Sequence, residues 1–100
     1  MIPSCPAKHV DDVDNDRTPG AFEIVVKDGR AAGMLYVCPC GCGHEGYLAF
    51  RPSPSPWWDW DGRVDRPTLT PSVHHITRRT GGEEKTHWHG WLRDGEWVSC

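Results

Sequence analysis

The sequence predicts a mostly β fold, a small antiparallel sheet or half-barrel built from hairpins, with little or no helix. Three observations predict it. Short runs of strand-forming residues recur along the chain. Asp-Gly pairs, a hairpin turn signal, stand at 28–29, 61–62 and 94–95. No segment combines helix caps with a 3.6-residue apolar period.

The elements follow in order. Residues 1–20 carry early prolines and then Asp11-Asp12-Val13-Asp14-Asn15-Asp16, a composition too polar to nucleate a core, and are expected to form a flexible acidic arm. A single β domain is expected over 21–100. Phe22–Lys27 is its first strand and Asp28-Gly29 the turn. Met34–Val37 runs straight into a cysteine-rich loop, and Gly46–Phe50 returns from it. Pro52, Pro54 and Pro56 make a stiff extended loop. Trp57–Trp60 reads as a strand ending at Asp61-Gly62. Thr68–Val73 continues extended, with Pro71 confining it to an edge, a bulge or a bend. Gly81–Lys85 reads as a flexible surface loop. The clearest hairpin is the last: His87–Leu92, a turn at Asp94-Gly95, then Glu96–Val98.

Composition bounds the function. A chain of 100 residues holds one domain and buries a limited fraction of its surface, so a cross-link would help it. Six tryptophans point to a compact core. Eleven basic against 14 acidic residues, a net charge of −3, argue against a duplex-DNA binder that relies on a broad basic patch. There is no apolar run long enough to span a membrane and no secretion signal, so a cytoplasmic location is expected.

Cys38-Pro39-Cys40-Gly41-Cys42-Gly43-His44 places three of five cysteines in five residues. Cysteines two apart are poorly placed to bridge one another. Thiolates around a tetrahedral Zn2+ lie roughly 3.8 Å apart, closer than alternate side chains on a straight strand. The chain must therefore bend, and Gly41 and Gly43 supply the dihedrals. Cys38, Cys40 and Cys42 are the expected zinc ligands. The fourth is open among His44, His87, His89 and Cys100.

His87 and His89 lie two apart on the predicted final hairpin, so their rings are expected on one face. Such a pair can clamp a metal or place one imidazole beside a nucleophile. His75 with His87 and His89 would make an open three-histidine metal site. Ser72 follows Thr70-Pro71 at a bend. A serine hydroxyl needs a base in contact to become nucleophilic. A histidine on a neighbouring strand would serve, oriented by a carboxylate. Asp59, Asp61 and Asp65 lie close by in sequence.

Taken in order, the Cys-Pro-Cys-Gly-Cys-Gly loop, Trp60-Asp61-Gly62, Pro67-Thr68-Leu69-Thr70-Pro71-Ser72-Val73 and His89-Gly90-Trp91-Leu92-Arg93-Asp94-Gly95 resemble the BubE-like family of small domains. That family occurs in phage genomes and in bacterial operons for ubiquitin-like conjugation. The resemblance covers roughly residues 34–98. It implies that Ser72 and His89 act together. Relatives often carry a cysteine just before the hairpin histidine, where this chain reads Lys85-Thr86-His87-Trp88, and His87 is the implied substitute ligand.

Two functions follow. One is a small hydrolase, a serine-type peptidase or deconjugase acting on ubiquitin-like tails. Ser72 would be nucleophile, His89 base and Asp61 the orienting carboxylate, with Zn2+ structural on Cys38, Cys40, Cys42 and His87. The tail as substrate rests wholly on the resemblance. The alternative is a non-catalytic zinc-binding module of phage or bacterial defence origin, whose tryptophans contact a protein partner. Nucleic acid is a weaker third partner on charge grounds, and no membrane partner is expected.

Overall fold

The computed structural model describes residues 4–41, 43–51, 57–78 and 84–99, with only the backbone given for 75–78 and 84–87. The expected all-β architecture is found, with no helix among the described residues, and so none long and apolar enough to cross a membrane. The described residues form ten strands: β1 (Ser4–Pro6), β2 (Lys8–His9), β3 (Ala21–Lys27), β4 (Arg30–Val37), β5 (Glu45–Ala49), β6 (Asp59–Trp60), β7 (Leu69–Thr70), β8 (Val73–Arg78), β9 (Glu84–Arg93) and β10 (Glu96–Ser99).

They form two four-stranded sheets, β1-β10-β9-β8 and β2-β3-β4-β5, and a two-stranded ribbon, β6-β7. Pairing is antiparallel except for β2 with β3. Among the described residues no sheet closes into a barrel. Two of the three Asp-Gly pairs form hairpin turns as expected, whereas Asp61-Gly62 opens the longer connection 61–68 between β6 and β7. Asp28 and Gly29 (φ 54° and 79°) join β3 to β4, and Asp94 and Gly95 (φ 47° and 82°) join β9 to β10. Both residues of each turn are left-handed, the geometry that matches the twist of the flanking strands.

One core cluster joins the sheets: Phe22, Met34, Tyr36 and Leu48 from one, Val73, Trp88, Leu92 and Trp97 from the other. Trp97 is fully buried. A buried indole N–H needs an acceptor. Trp97 Nε1 donates to the Gly20 carbonyl (2.9 Å), Trp88 Nε1 to Ser99 Oγ (2.9 Å) and Trp60 Nε1 to the Arg63 carbonyl (2.9 Å). In the second sheet, Tyr36 lies over its cross-strand partner Gly46, where a Cβ would come within 2.6 Å of the hydroxyl.

Two expectations are corrected. Residues 4–20 do not stand apart as an arm. β1 pairs with β10, β2 pairs with β3, and Val13 is buried with Ala21 and Val37. The acidic run is used as turn chemistry, because aspartate side chains accept from backbone N–H groups two residues on. Asp12 Oδ1 accepts from Asp14 N–H (2.9 Å) and Asp16 Oδ1 from Thr18 N–H (3.1 Å). The Lys8 ammonium, 2.6 Å from Asp16, and the Thr18 hydroxyl hold the Asp16 carboxyl down at about 2. The second correction is Glu84-Lys85, expected in a loop, which are the first residues of β9. The expected loops at Pro52, Pro54 and Pro56 and at Gly81-Gly82 lie outside the described residues.

Candidate active site

The chain runs through β7, bends at Pro71-Ser72 and enters β8. β8 pairs with β9 in a register that sets Val73 opposite Gly90 and His74 opposite His89. A serine one residue before β8 and a histidine one residue before Gly90 are thereby neighbours across the strand pair. Ser72 Oγ lies 3.3 Å from His89 Nε2. That is at the long end of the hydrogen-bond range, as nucleophile–base contacts often are without substrate. Ser72 is half-buried and His89 exposed, so the pair is open to an incoming chain. The His74 ring lies against His89, centroids 4.9 Å apart and planes at 37°.

The fold explains why Ser72 sits where it does. Trp58 Nε1 donates to the Ser72 carbonyl at 3.2 Å. Trp58 is packed against the core, with its own backbone tied to Ala49 and Arg51 (2.8 and 3.0 Å). The bend is thus fastened to the second sheet through one indole. Sequence reasoning had no signal for this contact, since Trp58 and Ser72 are 14 residues apart and share no motif.

The expected orienting carboxylate is not brought to His89. Asp61 Oδ1 accepts from the Arg63 N–H (3.0 Å). Its two neighbours are also engaged: Asp59 pairs with Arg51 (3.0 Å) and Asp65 with Arg63 (2.9 Å). The Arg63 guanidinium holds the Asp65 carboxyl below its ordinary range. Partners within 59–66 have captured Asp61 and Asp65, and Arg51 has taken Asp59. Among the described residues no carboxylate hydrogen-bonds to His89.

The cysteine loop bends as its glycines predict. Gly41 and Gly43 are left-handed (φ 85° and 83°), Cys38 N–H donates to the His44 carbonyl (2.8 Å) and Gly41 N–H to the Cys38 carbonyl (3.1 Å). Cys38 Sγ and Cys40 Sγ approach to 3.3 Å. Cys42 and Cys100 lie outside the described residues, as does the side chain of His87. Among the described residues no three candidate ligands converge. The β8–β9 register also skips His87, passing from His75 opposite Trp88 to Ile76 opposite Thr86. The loop does reach the terminal hairpin: Pro39 and Cys40 line a cavity of about 230 Å³ with Cys5, Trp88, Trp97 and Ser99. Cys5 donates its thiol to the Pro19 carbonyl (3.2 Å), and burial pushes that thiol up from its ordinary value.

A family model described as "Bacterial ubiquitination-like system serine protease (BubE)" matches residues 9–100. Neither a curated protein nor a solved structure matches the chain.

Proposed function

The chain belongs to the BubE family, and from that premise we propose that it is a serine-type peptidase or deconjugase acting on the tail of a ubiquitin-like protein. Ser72 is the nucleophile and His89 its base. The observation that carries the reading is the 3.3 Å approach of Ser72 Oγ to His89 Nε2 on an exposed face. His89 takes the hydroxyl proton as Oγ attacks the carbonyl carbon, and returns it to the leaving amine. Water then cleaves the acyl-enzyme with His89 again as base. Asp61 has no part in this scheme, which rests on the pair and on the His74 ring beside it.

A fluorophosphonate probe tests this without knowledge of the substrate, because it labels only an activated serine. Mass spectrometry should place the label on Ser72, and His89→Ala should abolish it. Hydrolysis of a matched ubiquitin-like tail should fall at least about 10³-fold in Ser72→Ala and in His89→Ala. Labelling elsewhere, or labelling of Ser72 indifferent to His89, would leave the non-catalytic interaction module as the reading.

Zinc is proposed as a structural staple. The 3.3 Å approach of two soft sulfur donors, on a loop bent by two left-handed glycines, supports a Cys-rich tetrahedral site. Cys38, Cys40, Cys42 and His87 would hold the ion. Bound there, it would cross-link the loop to β9 and take no part in hydrolysis. Purified protein should carry about one zinc per chain, and Cys40→Ser should release it with a drop in Tm. Metal-free protein whose melting is unmoved by Cys40→Ser would exclude the staple.

A further inference from the structure

We propose that Arg93, laid on Trp91, is a carboxylate-recognition subsite for the substrate that Ser72 and His89 cleave. The proposal rests on the hydrolase reading above and adds to it the chemistry that the substrate must carry.

The placement comes from the strand period. Along β9, Trp88, Gly90 and Leu92 are buried, while His89 and Arg93 are exposed and Trp91 half-buried. Alternation therefore puts His89, Trp91 and Arg93 on one face, in that order. Across the hairpin, Val98 stands opposite Trp91 and Glu96 opposite Arg93. Val98 is half-buried, so an apolar shelf of Trp91 and Val98 separates the histidine from the arginine.

The Arg93 guanidinium carbon lies 4.7 Å from the centre of the Trp91 ring. Stacking on an aromatic face holds the fork in a fixed plane and leaves its N–H edge free to meet a carboxylate with two parallel bonds. Arg17, Arg51, Arg63 and Arg66 each pair with a carboxylate of this chain. Arg93 pairs with none among the described residues, although Glu96 is its cross-strand partner and the nearest competitor. Four strand steps separate it from His89, a span of about 13 Å. An extended substrate covers that span in three to four residues. A carboxylate that far from the cleaved bond meets Arg93, with an aliphatic side chain between them over Trp91 and Val98. The carboxylate is either an Asp or Glu side chain or the free C-terminus of a short tail.

The test uses the full chain and a positional decapeptide library. Each position on either side of the cleaved bond carries Glu or Gln in turn, and the C-terminus is free or amidated. The wild type should favour acid over amide about 10-fold in kcat/KM at one position three or four residues from the cleaved bond. In Arg93→Gln that ratio should fall to within about 2-fold of unity, with ratios at other positions kept. Loss at Glu against Gln assigns a side-chain carboxylate, and loss at free against amidated termini assigns the C-terminus. The same ratios are read as Kd on Ser72→Ala, which needs no turnover. If no peptide is cleaved but the Kd ratio collapses in Ser72→Ala carrying Arg93→Gln, the hydrolase reading fails and the subsite stands. An acid preference indifferent to Arg93→Gln, or no preference for acid in either readout, overturns the proposal.

Discussion

The inward face of β9 carries Trp88, Gly90 and Leu92, and the outward face of the same strand carries His89, Trp91 and Arg93. The first set lies in the core cluster or against it. Trp88 meets Trp97 edge-on at 5.7 Å, and a Cβ on Gly90 would collide with the Val98 carbonyl. The second set makes few fixed contacts inside the chain: Ser72 and His74 for His89, and the Trp91–Arg93 stack. One period thus sorts stability from chemistry. The consequence is that a six-residue stretch can be dissected by alternate positions, each set failing in a different assay.

The largest effects should come from the inward set. Gly90→Val forces branched atoms onto the Val98 carbonyl and the Trp88 ring, the latter already 2.8 Å from a bare Cβ. Backbone cannot yield as a side-chain tip can, so the variant should fail to fold cooperatively, seen as loss of near-ultraviolet circular dichroism. Leu92 is fully buried, and Leu92→Ala should cost about 2–5 kcal/mol in chemical denaturation. His89→Ala on the opposite face should shift stability by only about 0.5 kcal/mol while removing the proposed activity. A Leu92→Ala protein as stable as wild type, or a His89→Ala protein that unfolds, would erase the distinction between the faces.

The same period explains what could be read in advance. Strands β3, β4, β5, β9 and β10 and both hairpin turns follow from local pattern and Asp-Gly chemistry, which depend on neighbours in sequence. Ser72 and His89 were singled out by their setting and by the family resemblance, and the β8–β9 register supplies the contact. Two of the misplaced expectations involve competition between partners. Residues 11–16 read as solvated charge because composition does not reveal that Asp12 and Asp16 are consumed by backbone N–H groups. Asp61 read as an orienting carboxylate because proximity in sequence to a tryptophan strand does not reveal that Arg63 N–H takes it first.

Trp58 belongs to neither face and joins them, which makes it the finest probe of the division. Its ring packs on the core, while its N–H reaches out to the Ser72 carbonyl at 3.2 Å. Trp58→Phe keeps an aromatic ring and deletes the donor, leaving the partly buried carbonyl to find water. The net hydrogen bond is worth about 0.5–1.5 kcal/mol, so the loss in overall stability should be modest. If the indole fixes the bend, catalysis should suffer more than stability, because small displacements of a nucleophile from its base are costly. We expect kcat to fall about 10-fold with KM changed less than 2-fold, and fluorophosphonate labelling of Ser72 to slow in step. A tryptophan serving only as packing would instead lower Tm and leave the labelling rate per folded molecule unchanged. That outcome would return Trp58 to the core and leave the outward face to position its own nucleophile.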